Sequence, residues 1–486
     1  MSHFSFIDLF AGIGGFHMAA SKAGGKCLGY SEINKDAIQT YCKNYGMTEK
    51  DNLGSVVDIN FIPEHDLLTA GVPCQSWSIA GHKLGFDDDR GQLWNDTIYL
   101  LQKFKPKVFI FENVKGLIDP RNKEAFEYIM MRIKEAGYYA DYYILNSNDY
   151  GVPQNRERVY IIGFKKKCHN DLFEPPIENT FKPFLSEVLE MDVELYERAE
   201  EGEDKKSMSL SSSNGYNDYF MFNDLRGGES TIHSWEIIKT SKKQKSICEL
   251  ILKNRRKKKY GVLDGNPLSV SHLIELDSEI QMKDIKILLD LDILKEIEYV
   301  FILKNILSLS ELSEEEGIVV NLISKDENNL GKIKLSTEVR RRKMKVIKVL
   351  NGLIKKEVIE CSEVRYDFKN TKISTGLFGV NRIFLPSSKT FSTLVASDTN
   401  DFISEIDVKR SATFKQDFLK EVYEKGLYRK LSKEESCTVQ GFPKDYKLPE
   451  KRNRWMKLLG NSVSVPVIDK IMNSIKKTGV FIGDYG

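Results

Sequence analysis

The stretch FSFIDLFAGIGGFHMAASKAG, Phe4 to Gly24, decides how the rest of the chain is read. FSFIDLF is a short apolar run of β type. GFHMAASKAG has helical composition and ends in glycine, a helix stop signal. Between them lie Gly12, Gly14 and Gly15, which let the backbone turn tightly and let a ligand approach main-chain groups. The spacing is G-x-G-G and lacks the third glycine of the dinucleotide fingerprint. Alone, such a turn is equally an ordinary strand-to-helix connection, so the residues that follow must decide.

They repeat the alternation. KCLGYSEI reads as a strand and KDAIQTYCKNYG as a helix. HDLLTAG, PKVFIFENV, ADYYILN and RVYIIGF are further strands, and EAFEYIMMRIKEAG is an amphipathic helix between two of them. Strands alternating with helices predict an α/β fold with a mostly parallel sheet covered on both faces. Ligands then bind at the carboxyl ends of the strands.

The 486 residues leave room for two or three domains, and 41% hydrophobic with 29% charged residues is the composition of a soluble globular protein. No apolar stretch approaches the roughly 20 residues of a membrane span. MSHFSFIDLF has no basic region before its apolar part, so no signal peptide is expected. The seven cysteines are scattered and form no C-x-x-C. That excludes a disulfide framework and a zinc site and fits a reducing cytoplasm. Net charge is +2, but it is unevenly spread. Residues 1–170 hold 20 basic and 20 acidic side chains, whereas Ile232 to Tyr260 holds 10 and 2, and Gly331 to Lys356 holds 10 and 1. One such run reads as a solvated face. Two in one half of the chain point to a polyanion.

After about Lys167 the character changes. ERAEEGEDKKSMSLSSSNGYND is a polar linker or loop, and residues 230–370 are lysine-rich and helical in pattern. Ile285, Leu288, Leu289 and Ile293 share one helix face, as do Met344, Ile347, Leu350 and Ile354. A β-type run follows each helix, EYVFIL and EVIECSEVRYDF, which allows a helix-turn-helix with a β wing in both places. No metal site is expected.

Five short motifs carry chemistry. The first is the glycine turn itself, strengthened by Glu32 at the end of the second strand, where an acid grips ribose hydroxyls, and by Asp58, which could accept a bond from an adenine amine. The second is TAGVPCQSWSIAG, Thr69 to Gly81. Its Cys74 is by base rate a packing residue. Its alternative is a nucleophile at the sheet edge, stiffened by Pro73 and followed by a glycine-punctuated lid that runs to Arg90. The third is FIFENV, where Glu112 ends a buried strand at a cost unless it is used or paired. The fourth is QNRERVYIIGF, whose Arg156 and Arg158 would share one strand face. The fifth is GNSVSVP, Gly460 to Pro466, a turn opening the last helix.

In this order and with these neighbours, the motifs resemble the DNA (cytosine-5) methyltransferases over about residues 4–165 and 376–486, and RKLSKEESCTVQGFP is similar to that family's segment before its last motif. Val72 and Trp77 stand where the family often has Phe. The resemblance implies a Rossmann-like sheet binding S-adenosylmethionine, with a second, variable target-recognition domain. Phe10 and the loop of Ala11, Gly12, Ile13, Gly14 and Gly15 would hold the cofactor, Glu32 its ribose, and Asp58 and Ile59 its adenine. Pro73, Leu93, Asn461 and Val463 would complete that pocket. Cys74 would be the nucleophile, Glu112 would meet the ring nitrogen and amino group of cytosine, and Arg158 its carbonyl oxygen. Arg156 and Arg158 would favour the thiolate.

The expected layout is a catalytic domain over 1–170, a DNA-binding domain over 171–456 and a returning segment over 457–486. The expected partner is double-stranded DNA, bound by a monomeric bacterial enzyme paired with a restriction endonuclease. The basic clusters 255–259 and 340–345 would contact phosphates. Two competing readings are a relative acting on tRNA, and a DNA-binding regulator that has lost catalysis.

Overall fold

The computed structural model describes residues 4–73, 89–189, 219–221, 231–260, 266–304, 312–325, 346–369, 382–398, 401–408 and 411–482. The opening stretch forms strand β1 (Phe4–Leu9) and helix α1 (Gly15–Lys22). Then follow β2 (Gly25–Ser31), α2 (Lys35–Tyr45), β3 (Leu67–Gly71), α3 (Asp89–Phe104), β4 (Val108–Val114), α4 (Lys123–Glu135), β5 (Tyr139–Asn146) and β6 (Glu157–Phe164). All six strands fall on the runs read from the sequence.

The six strands form one sheet in the order β2-β1-β3-β4-β6-β5. β2, β1, β3 and β4 pair in parallel, while β6 is antiparallel to both β4 and β5. The reason is local: the loop between β5 and β6 is too short for the crossover that a parallel return needs. Val108 to Phe111 are all buried, as strands covered on both faces should be. Trp94 of α3 packs edge-on against Phe111 within this core. β1 is flanked by β2 on one side and β3 on the other, so the connections diverge there. Crevices at such switch points, beyond the carboxyl ends of the strands, are where α/β sheets bind ligands.

Two compact units emerge, one of Met1–Glu197 with Ile383–Gly486, the other of Arg198–Arg382. The first unit continues past the sheet with α5 (Lys167–Asp171). The second holds β7 (Tyr219–Met221), β8 (Thr231–His233), α6 (Ser234–Ile237), α7 (Lys242–Asn254), β9 (Leu268–Ser269), α8 (Val270–Leu276), α9 (Met282–Asp290), β10 (Leu294–Leu303), α10 (Glu314–Lys325), α11 (Val346–Lys355) and β11 (Ile359–Phe368). The returning chain adds β12 (Arg382–Phe384), β13 (Asp401–Ser404), α12 (Phe414–Phe418), β14 (Tyr428–Arg429), α13 (Lys433–Gln440), α14 (Arg452–Asn461) and α15 (Val465–Lys477).

This division differs from boundaries at 170 and 456, because residues 383–456 pack with the first unit. Gln154 donates to the Val439 carbonyl at 2.9 Å, and Asn148 donates to that of Lys389 at 2.7 Å. The end of the chain docks on its beginning: Lys22 pairs with Asp469 at 2.8 Å and Phe481 stacks on Phe4.

In the second unit the two expected winged motifs share one sheet. β10 and β11, the two β-type runs, pair antiparallel with each other, and β11 pairs with β9. α7, α8 and α9 pack on that sheet through Ile247, Ile251, Leu273, Ile285 and Leu288. α10 and α11, which lie in the chain between β10 and β11, make a separate small core around Val319, Ile323, Leu350 and Leu353, with Phe301 and Ile359 of those strands. Among the described residues, no helix is long and apolar enough to cross a membrane.

Candidate active site

At the end of β1 the backbone of Phe10 takes φ 51°, a conformation that costs a bulky residue roughly 1–3 kcal/mol. Hydrogen bonds hold it there. Ala11 N–H donates to the Ser31 carbonyl at 2.9 Å, and Gly12 N–H donates to Glu32 Oε2 at 2.8 Å. Glu32 Oε1 accepts from the N–H groups of Ile33 and Asn34, each at 2.8 Å. A carboxylate has about four acceptor positions, and three are filled by backbone, which fixes its direction and leaves one. Gly14 sits at φ 82°, and a Cβ there would strike the Tyr45 ring. Tyr45 donates its hydroxyl to the Gly14 carbonyl at 2.6 Å, and the Tyr446 hydroxyl bonds the Ile13 carbonyl. The glycine loop is therefore gripped by two tyrosines.

A Cβ on Gly15 would stand 2.6 Å from Val463 Cγ2, and one on Gly71 4.0 Å from both the Phe10 carbonyl and Val463 Cγ1. Phe10, Gly71 and Val463 thus lie together, and at Gly15 a side chain would collide with Val463. Ala11, Ile13 and Ile59 are buried. Asp58 closes a short 3-10 helix, Val56–Asp58, with its side chain exposed. Pro73 and Leu93 are half-buried and Asn461 is exposed. Cys74, and nearly all of the run after it, lies outside the described residues.

Gly71 is registered opposite Glu112 across the β3–β4 pair. Val72 is held by Asn113, whose side-chain amide donates to the Val72 carbonyl at 3.1 Å. The strand that ends two residues before Pro73 is therefore tied to the strand that carries Glu112. Glu112 is 9% exposed, and Arg158 Nε lies 3.2 Å from its Oε1. Burial pushes the Glu112 carboxyl up, and the charges of Arg158 and Arg156 hold it down. Arg158 is registered against Val114, two residues from Glu112, so it meets the acid diagonally across the β4–β6 pair.

Arg156 does not share that face. It precedes β6, is 2% exposed, and donates to the carbonyls of Leu394 at 3.2 Å, Gly460 at 3.3 Å and Ser462 at 2.5 Å. Its guanidinium ties the turn at 460–463 to the main sheet. That turn ends α14 at Asn461 and leads to Ser464, the N-cap of α15, with Pro466 in its first turn. Within β1, Asp8 is fully buried, accepts from the Thr69 hydroxyl at 2.8 Å, and is pushed by burial to about 8.

Tyr45, Tyr446, Asn113 and Asp8 escaped the sequence reading. Asn113 alone had a signal, as the neighbour of Glu112 in FIFENV. Among the described residues, no His, Cys, Asp and Glu side chains group as a metal site would.

The model of the family described as C-5 cytosine-specific DNA methylase matches residues 4–477. The chain belongs to that family. The Type II methylase M.HgiEI of Herpetosiphon aurantiacus is 36% identical over 96% of this chain and 95% of its own length. The Type II methyltransferase M.HgiBI of the same organism is 35% identical over 99% and 98%. The solved Dnmt2 methyltransferase of S. pombe covers 98% of each chain at 12% identity, with a TM-score of 0.47. This C-5 cytosine DNA methylase transfers a methyl group to carbon 5 of cytosine in DNA, with S-adenosylmethionine as donor.

Proposed function

We propose that this methylase works through a covalent adduct of Cys74 with a cytosine turned out of the duplex. The observation that carries this is the pairing of Glu112 with Arg158 on the strand registered against the one leading to Cys74. Carbon 5 of cytosine is too weak a nucleophile to take a methyl group unaided, and it is hidden in the base stack. Attack by the Cys74 thiolate on carbon 6 breaks the 5,6 double bond and leaves an enamine that is nucleophilic at carbon 5. Glu112, its carboxyl raised by burial, gives a proton to the ring nitrogen as charge builds there. Arg158 holds Glu112 in line and meets the base carbonyl. The enamine would then take the methyl group at carbon 5, and loss of the carbon 5 proton, expulsion of the thiolate and return of the ring-nitrogen proton to Glu112 would restore the ring.

The glycine loop, with Glu32 fixed beside it, fits a nucleoside-bearing donor. The remaining acceptor position of Glu32 would take a ribose hydroxyl, and Asp58 and Ile59 would meet the adenine. Phe10 and the loop Ala11 to Gly15 would cradle the donor, with Pro73, Leu93, Asn461 and Val463 closing the pocket. When bound, S-adenosylmethionine supplies an electrophilic methyl group. Arg156 would contribute by holding the Asn461–Val463 turn.

The unit Arg198–Arg382 would recognise the target, with the lysines after α7 on phosphates. The relatives' designation as Type II methylases supports a role in protecting host DNA from a partner endonuclease. We further propose a cytoplasmic monomer. Incubation with labelled S-adenosylmethionine and either duplex DNA or tRNA tests the reading. Label should enter cytosine of the duplex in one sequence context; label in tRNA alone would overturn it.

A further inference from the structure

We infer that α9 is the base-reading helix of this enzyme and enters the DNA major groove, an assignment that rests on the target-recognition role proposed for its unit. The topology suggests it. α8, the turn 277–281 and α9 are followed by β10, which pairs antiparallel with β11 after the insertion that carries α10 and α11, and β9 completes the three-stranded sheet. In a helix-turn-helix it is the second helix that is presented to DNA.

The side chains of α9 divide as that role demands. Asp284, Ile285 and Leu288 are buried. Met282, Lys283, Lys286, Ile287 and Asp290 are all exposed, and the four-residue steps 282–286–290 and 283–287 put them on one face. Met282 and Ile287, 40% and 42% exposed, are apolar side chains that water does not favour. They suit the thymine methyl, as lysine suits the guanine edge and a carboxylate the cytosine amine.

Both signs of charge surround α9, with Glu275, Glu279 and Asp290 exposed beside its lysines. Lys243 pairs with Asp284 at 2.8 Å and donates to the Glu279 carbonyl at 2.9 Å, which draws the lysine-rich start of α7 beside α9. Lys242, Lys243, Lys283 and Lys286 are all exposed there. The scaffold behind is rigid. Arg255 forms a buried ion pair with Asp367 at 2.9 Å, lies over the Phe368 ring, and Phe368 stacks on Trp235.

The test selects binding sequences from a random duplex pool with the full-length enzyme, and scores methyl transfer to the selected duplexes separately. Lys283→Ala/Lys286→Ala and Ile287→Ala are compared with Lys257→Ala/Lys258→Ala. The α9 variants should lose or change the enriched sequence, with affinity for the wild-type sequence down about tenfold or more. The 257/258 variant should keep the sequence and bind all duplexes more weakly. Unchanged melting and donor affinity will show that each variant is folded. α9 variants that enrich the wild-type sequence with wild-type affinity overturn the assignment, as does a wild-type enzyme that enriches no sequence. Selection of a sequence without any methyl transfer to it would instead count against the catalytic reading and leave α9 as the reader.

Discussion

Replacing Arg156 with alanine should loosen the cofactor turn and destabilise the first unit. Arg156 reaches three carbonyls, of Leu394, Gly460 and Ser462, from a buried position. A hydrogen bond from a charged donor contributes about 1.5–3 kcal/mol, and alanine would leave these acceptors without it. The bonds share one guanidinium and do not add independently. The cost should therefore be about 3–5 kcal/mol, the range for severing a buried charge network. At about 2–4 °C per kcal/mol, melting should fall by roughly 10 °C. Because the turn carries Asn461 and Val463, donor affinity should fall as well. Arg156→Lys separates clamping from charge. A single ammonium cannot span three carbonyls as a planar fork does, so lysine should rescue little. Calorimetric melting and titration with S-adenosylmethionine read both effects. Near-wild-type melting and donor affinity in Arg156→Ala, or full rescue by lysine, would refute the clamp and favour a purely electrostatic role.

Three further outcomes can be measured. Glu112→Gln should slow methyl transfer by roughly 10² to 10⁴ with donor affinity unchanged; a normal rate would remove Glu112 from the chemistry. Asp8, raised to about 8 in the fold, favours its protonated form there, so the stability it contributes is complete below about 3.9 and is lost as pH rises toward 8. Asp8→Asn should therefore flatten the melting temperature across that window, and parallel slopes for variant and wild type would show the sign to be wrong. Arg255→Ala should destabilise the second unit by about 3–5 kcal/mol, because it leaves Asp367 buried and unpaired; a melt indistinguishable from wild type would contradict this.

The sheet was legible because each strand is a short apolar run bounded by turn residues, and the hydrophobic pattern alone sets β1 to β6. What stayed hidden depends on contacts between distant parts of the chain. Arg156 and Arg158 look equivalent in sequence, yet one ties a turn 304 residues away and the other pairs with Glu112. Arg255 belongs to a run of five basic residues and was expected on phosphate. It is buried against Asp367, while Arg256, Lys257, Lys258 and Lys259 are exposed. Local charge density cannot tell those cases apart, because the acid that claims Arg255 lies 112 residues on. Tyr45 and Tyr446 were silent for the same reason, since their work is on carbonyls that carry no sequence signal. The cluster 340–345 lies outside the described residues.

The most direct test of the account is product analysis after Cys74→Ala. Wild-type enzyme, duplex DNA and labelled S-adenosylmethionine should yield 5-methylcytosine and no other methylated base. The variant should bind the same DNA and donor yet form none, because the missing sulfur is the nucleophile that makes carbon 5 reactive. Formation of 5-methylcytosine by the variant at a rate near that of wild type would contradict the covalent mechanism.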